Sequence, residues 1–240
     1  MMSDRMAGLQ QSLSTGSWID AVTESAAILG VDGLAVSILD QNQVNEVLWH
    51  SGDLSSTFED LQFTVGQGPG TDAASTGEIV LVADLEATPL ERWSALVSEA
   101  SALSLVRAVF AFPLGIGAVR LGVLTAVRRT PGPLSEQQAD DAVVLAAGLT
   151  ARFLNGSAPH SMGAALLRPM DGLHSAVVHQ ATGMLSVQLS LPLPQAMARL
   201  RAHVYITGRP LTEVAQAIVA RRLRLDDNGD GRTLPTTDKD

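Results

Sequence analysis

Hydrophobic positions in this chain recur with two periods, and the changes of period mark its elements. Trp18, Val22, Ala26 and Leu29 fall at helical spacing. Ser17 stands before them as a cap and Gly30 after them as a stop. Residues 35–39 and 45–49 read as strands across a polar turn at 40–43. Leu61, Gln62, Phe63 and Thr64 lead into the glycine-rich run 66–70, residues 73–76 look helical, and 79–83 form a short buried strand. Residues 89–105 have helical periodicity around Trp93, Leu96 and Val97. Residues 108–114 and 119–127 make a hairpin-like pair. Ser135 and Gln138 then form a capping box for a helix that runs to about Phe153. Its inward positions are Ala139, Val143, Ala146 and Leu149. Helix, about five strands with short helices inserted, then helix describes an α+β domain over residues 1–154. Its antiparallel sheet is covered on one side by the terminal helices.

From 173 to 225 the pattern is wholly helical. Val177, Ala181, Met184, Leu185 and Gln188 mark the first face, and Pro192 and Pro194 end that helix. Ala196, Met197, Leu200 and Val204 mark the second, which Gly208 and Pro210 close. Leu211, Val214, Ala215, Ile218, Val219 and Leu223 mark the third. Three short helices with matching apolar faces make a small bundle. Residues 155–172 hold three Gly and two Pro and read as a linker, with one helical turn at 164–167. Residues 226–240 read as an acidic disordered tail.

Charge divides the chain along the same lines. Residues 173–225 carry six arginines and one acid, Glu213, a net +5, which leaves −14 on the remainder of a chain whose total is −9. One basic module in an acidic protein points to a polyanionic partner; arginines solvating the outer face of a bundle are the plainer alternative. The chain has no cysteine. That excludes disulfides, thiolate nucleophiles, Cys-ligated zinc and a thioether-linked chromophore. No basic, apolar leader opens it and no apolar run is long enough for a bilayer, so a soluble cytoplasmic protein is expected.

Candidate chemistry is sparse. Asp140 and Asp141 are adjacent carboxylates, and neighbours on a helix point apart. The loop Gly66-Gln67-Gly68-Pro69-Gly70 lacks the Lys and Ser/Thr of a phosphate loop and reads as a turn or pocket rim. Asp226, Asn228 and Asp230 lack the later Glu of a calcium loop. His174, His179 and His203 are too scattered for a metal motif. The pattern calls for no catalysis, metal or cofactor.

Two resemblances give these patterns a function. Gln180-Ala181-Thr182-Gly183-Met184, Ala196, Leu200-Arg201, Gly208-Arg209-Pro210-Leu211 and Glu213-Val214-Ala215 resemble an ANTAR domain, a three-helix RNA-binding module of bacterial transcription antiterminators. Thr182 stands where many members carry Lys, which removes a cation from that position. The resemblance implies RNA contacts at Gln180, Thr182, Gly183, Arg199, Arg201, His203, Arg209, Arg221 and Arg222. It places Arg201 and Arg209 on the outer side of the bundle. A glycine inside a helix costs about 1 kcal/mol relative to alanine, so Gly183 is expected to serve a close approach, more often of a helix than of RNA.

The second resemblance is to a GAF sensor domain, in the actinobacterial form fused to ANTAR. It rests on Gly66 to Gly70, Asp72-Ala73, Thr76-Gly77, Val82-Ala83-Asp84-Leu85, Arg92-Trp93, Arg107 to Leu114 and Leu121-Gly122-Val123-Leu124, and covers residues 17–153. The Asn-Lys-x-x-x-Phe-Asp-Glu pattern of the cyclic-nucleotide subset is absent. Such domains sense ligands or other signals and are frequent homodimers. Trp49, Phe63, Trp93 and Phe112 are the candidate ligand contacts, and the apolar face of residues 135–153 is the candidate dimer surface.

Together the resemblances imply a signal-responsive antitermination regulator. Its partners would be paired RNA stem-loops, engaged by a dimer, and a small-molecule or protein signal. Two other readings stay open: a DNA-binding regulator, and a sensor whose helical module binds protein only. A DNA reader wants Arg, Asn or Gln near the start of its recognition helix. Residues 211–215 are instead apolar with one acid.

Overall fold

In a computed structural model the chain divides into two compact units, residues 1–164 and 165–240. The structure describes residues 3, 6–9, 17–39, 45–89, 91–98, 105–155, 172–225 and 231–233. The turn at 40–43, the helical turn at 164–167, nearly all of the linker and the tail's Asp226, Asn228 and Asp230 lie outside the described residues.

The first unit runs α1 (Trp18–Leu29), β1 (Gly33–Leu39), β2 (Asn45–His50), α2 (Gly52–Val65), α3 (Pro69–Thr76), β3 (Val80–Val82), α4 (Ser94–Ser98), β4 (Ala108–Ile116), β5 (Val119–Arg128) and α5 (Glu136–Leu154). Its helix ends follow the local chemistry that the sequence predicts. Ser17 Oγ accepts from Asp20 N and Gly30 closes α1 in the left-handed region. The capping box at Ser135 and Gln138 is complete. α3 begins at Pro69, earlier than its pattern indicates, because proline's fixed φ suits the first helical position. Within 89–105 the described helix is only the short α4.

The strands form one antiparallel sheet in the order β2-β1-β5-β4-β3. β4 and β5 are near-continuous apolar runs whose successive side chains go to opposite faces, so both faces must be covered. Phe110, Phe112, Leu124 and Ala126 face a core shared with Trp18 and Leu29 of α1 and Leu145 and Leu149 of α5. Val109, Ala111, Val123 and Val127 face a second core with Phe58 of α2, Ala73 of α3 and Trp93 and Leu96. Each large side chain buried this way contributes about 1.5–3 kcal/mol.

The second core corrects the expected one-sided sheet. Helices cover both faces, because α2 exists where the pattern indicates none. Leu54, Phe58, Leu61 and Val65 do recur at helical spacing along it. The signal is diluted by Ser55, Glu59 and Gln62, which are buried beside them. The α5 face offered as a dimer surface is also spent within the unit: Ala142, Leu145, Ala146, Leu149 and Phe153 pack in the first core, while Val143 and Leu154 are exposed.

The second unit contains α6 (Gly172–Leu189), α7 (Leu193–Thr207), α8 (Leu211–Val219) and the strands β6 (Leu223–Leu225) and β7 (Gly231–Thr233). α6 packs on both other helices. The seam is Val178, Ala181 and Leu185 of α6, Ala196, Met197, Leu200 and Val204 of α7, and Leu211, Val214, Ala215 and Ile218 of α8.

Leu223, expected on the third helix, lies in β6 instead. Arg221 adopts φ 57°, Arg221 N donates to Ile218 O and Arg222 N to Ala217 O. This left-handed stop usually carries glycine, so an arginine there hides it from a reading of the sequence. β6 then pairs antiparallel with β7, so residues 231–233 are a strand within the stretch expected to be disordered. Gln188 of α6 donates to the Leu225 carbonyl and ties the hairpin down.

One glycine fixes the approach of the two inner strands. Gly122 of β5 pairs with Ile38 of β1, and a Cβ there would lie 1.9 Å from the Ser37 carbonyl oxygen. Backbone cannot yield as a flexible side chain can. Gly122→Ala is expected to destabilise the first unit by ~3 kcal/mol or more, read from urea unfolding followed by tryptophan fluorescence. A loss below ~1 kcal/mol would show that β1 and β5 do not approach this closely.

Candidate functional site

In the helical unit, the seam and the cations occupy different places. Arg199 is exposed on α7, and Arg221 and Arg222 are exposed on the turn after α8. Arg224 is also exposed, between the buried Leu223 and Leu225; it was not among the expected contacts. Arg209 follows the glycine that ends α7, and its Nη2 donates to Glu213 Oε1 at 2.9 Å. An exposed pair of this kind contributes under about 1 kcal/mol, so it aims the guanidinium without locking it. Gln180 is exposed on α6.

A Cβ on Gly183 would meet nothing within 4 Å. No described element presses on this glycine.

Three expected contacts lie elsewhere. Thr182 is buried, its hydroxyl donating to the Val178 carbonyl at 2.8 Å and lying 3.4 Å from Met197 Sδ. A threonine can sit there because the backbone of its own helix satisfies it. His203 is buried on the inner side of α7, next to Val204. Neither side chain presents itself to an outside ligand. Arg201 is half-buried at the edge of the seam instead of projecting outward, and burial pushes its guanidinium down to about 10. It remains a cation at neutral pH. Its neighbour one turn on, Tyr205, is 68% exposed, and Ile206 is 76% exposed. The legible signal for both was their position off the 196, 197, 200, 204 seam. His179 is half-buried on α6, and the side chain of His174 lies outside the described residues.

In the sheet unit, the four candidate aromatics do not converge. Phe112 is buried in the core under α1 and α5, where Trp49 also packs, edge-on to Trp18. Trp93 is buried in the opposite core, and its Nε1 donates to Asp72 Oδ2 at 3.1 Å. Arg92 lies over the same ring at 4.3 Å. Phe63 is half-buried on α2. The sheet itself separates Phe112 from Trp93, so these residues are core and anchor rather than the walls of one pocket. A hollow of about 140 Å³ does open between Ala74 of α3, Gly77 at its end, and Pro113, Gly115, Arg120 and Gly122 of the β4–β5 hairpin. None of the four aromatics lines it.

What the sequence did not disclose is a polar cluster buried between the sheet and α2. Glu59 is buried, accepting from Ser37 Oγ of β1 at 3.2 Å and from Gln62 Nε2 at 3.1 Å. Gln62 Oε1 in turn accepts from Gly70 N at the start of α3, at 2.8 Å. Thr125 Oγ1 of β5 lies near the carboxylate without a well-formed hydrogen bond to it. Gly68 belongs to the same cluster: at φ 142°, any Cβ would strike the Gln62 side chain. Burial pushes the Glu59 carboxyl up to about 7, against the neighbouring hydroxyls and amide, which pull the other way. The cluster therefore joins β1, α2 and α3 through a group that exchanges a proton near neutral pH. Among the described residues no three His, Asp or Glu side chains gather to hold a metal ion, and no helix is long and apolar enough to cross a membrane.

Comparison with solved structures places the first unit. The GAF domain of a phosphoenolpyruvate-protein phosphotransferase from Coxiella burnetii is 17% identical, with a TM-score of 0.50, over 67% of this chain and 95% of that one. The sheet unit has the GAF fold. The corresponding domain from Acinetobacter is similar at 19% identity and TM-score 0.48, over 65% of this chain and 93% of that one. The free methionine-R-sulfoxide reductase of Neisseria meningitidis is similar at 20% and 0.49, over 66% and 90%. No family model matches the sequence, and no curated protein matches it significantly. The likeness covers the GAF-fold unit and leaves the helical unit to be read from its own residues.

The Glu59 carboxyl sets a pH dependence for the GAF-fold unit. Below about 4.5, its ordinary value, it is protonated whether the chain is folded or not. Between there and about 7 the unfolded chain releases the proton first, so the stability associated with this group falls as pH rises. The loss across that window is ~3 kcal/mol. Glu59→Gln keeps the shape and removes the proton equilibrium. Urea midpoints at about pH 5 and about pH 8 should therefore fall for the wild type and stay nearly level for the variant, other titrations being common to both. Parallel pH profiles would mean that this carboxyl is ionised in the fold.

Proposed function

We propose that this chain is a signal-responsive regulator of transcription antitermination. Its GAF-fold unit receives a small-molecule or protein signal, and its helical unit binds hairpin RNA, favouring an antiterminator over a terminator. One observation carries the RNA reading: in the helical unit the seam is apolar while Arg199, Arg221, Arg222 and Arg224 are exposed, on a module of net +5 in a chain of net −9. Solvation alone does not call for cations gathered on one module of an acidic protein. The ANTAR resemblance agrees, and a homodimer would present two such modules to paired stem-loops.

DNA readout is disfavoured by α8. Its exposed residues are Glu213 and Gln216, and no arginine lies on the helix. A helix entering the major groove wants cations and amides along its leading turns. The reading gives the protein a binding role and no catalytic one. The sensing role rests on the GAF fold, and the buried Glu59 cluster, which joins α2 and α3 to the sheet, is where a signal would be felt inside the unit.

The test is hairpin RNA affinity at several salt concentrations for wild type, Arg209→Ala and Arg222→Ala, with duplex DNA of the same sequence as competitor. Each substitution should weaken binding by ~1–3 kcal/mol and shallow the salt slope by about one unit if it removes a phosphate contact. Thermal melts should shift little, because both side chains lie off the seam. Arg201→Ala should lower stability as well, since its half-buried stem packs at the seam's edge. Failure of the wild type to bind any hairpin, or equal binding to the DNA, would overturn the reading.

A further inference from the structure

We propose that Tyr205 is a stacking platform for an unpaired base of the RNA loop, an inference that rests on the RNA-binding reading above. Tyr205 is the chain's single tyrosine, and it is 68% exposed on α7. A ring this open gains little for the fold. Helical side chains lean back over the preceding turn, so this ring lies over positions three and four residues earlier. Those are Ala202 and Arg201, and one turn further back on the same side stands Ala198. Alanine methyls cannot cover an aromatic face, so the ring is accessible along its helix.

The ring sits on the basic module: Arg199, six residues back on α7, is exposed, Arg201 one turn back is half-buried, and Arg209 follows within four residues across the turn. An open aromatic ring on a basic module matches an unpaired nucleotide, whose base stacks while its phosphates meet the module's cations. The competing occupant is a protein surface, because Ala198, Ala202, Tyr205 and Ile206 are exposed at helical spacing. The net +5 of the module favours RNA, and the test below separates the two.

The probe is a tandem stem-loop RNA with 2-aminopurine placed in turn at each loop position, titrated with the full chain. With wild type and Tyr205→Phe, one loop position should be quenched on binding, and their affinities should agree within about twofold. Tyr205→Ala should bind about 5- to 100-fold more weakly and lose the quenching at that position. Its thermal melt should match the wild type. Unchanged affinity in Tyr205→Ala overturns the proposal, as does weaker binding with the quenching intact. Loss of RNA binding together with a lower oligomeric state by sedimentation also overturns it, and assigns Tyr205 to a protein interface. Wild type that binds no stem-loop at all fails the RNA reading itself, a result separate from these.

Discussion

The close antiparallel approach of β1 and β5 is the constraint on which the sheet unit depends. Gly122 lets the two backbones meet, and β5 thereby becomes an inner strand with β4 on its other side. β4 and β5 are apolar on both faces, so neither face can be given to water. Helices must cover both sides, and they divide the interior into two cores with different contents. The core under α1 and α5 is mainly apolar, with Ser25, Asp141 and Thr150 buried on those helices. The other side must also house Glu59, Gln62, Ser37 and Thr125, because α2 brings polar side chains against the sheet. The proton-exchanging carboxyl follows from that packing: it is far from water, so its charge is disfavoured even though the neutral donors around it pull the other way.

The helical unit answers a different constraint. Its three helices are short, and isolated helices of this length are marginal in water. Their common seam must supply the stability, which forces every remaining position outward. Most of the arginines go outward with them. The seam is thus what turns a basic composition into a basic surface. Thr182 and His203 show the limit of this sorting. Both are polar, and the seam holds both, Thr182 through its bond to the Val178 carbonyl.

Much of this was legible in the sequence where chemistry is local. Ser17 and Gly30 bound α1, the capping box bounds the start of α5, and two apolar runs around a short turn mark the β4–β5 hairpin. In residues 173–225 the face of the second helix follows directly from spacing, while on the first Val178 is buried in place of Val177 and Met184, and Leu223 of the third lies in β6. What escaped is what depends on neighbours distant in sequence. α2 was hidden because half of its buried face is polar, and its partners lie on β1 and β5. The end of α8 was hidden because Arg221 takes a conformation that usually announces itself with glycine. Glu59 reads like any surface carboxylate until the sheet closes over it. Arg201 fell between classes because its place on α7 lies at the boundary of the seam. The aromatics Phe112 and Trp93 illustrate the reverse error, in which large side chains read as ligand contacts are the core itself.

The central claim is that RNA meets the outer side of α7 and the arginines beyond α8. Hydroxyl-radical footprinting of the full chain, with and without a saturating stem-loop RNA and read by mass spectrometry, tests it most directly. Exposed side chains serve as reporters on both units. Tyr205 and Ile206 should become protected, while Ile79, Leu81 and Ile116 of the GAF-fold unit keep their reactivity. Protection confined to the GAF-fold reporters, with Tyr205 and Ile206 unchanged, would contradict the account.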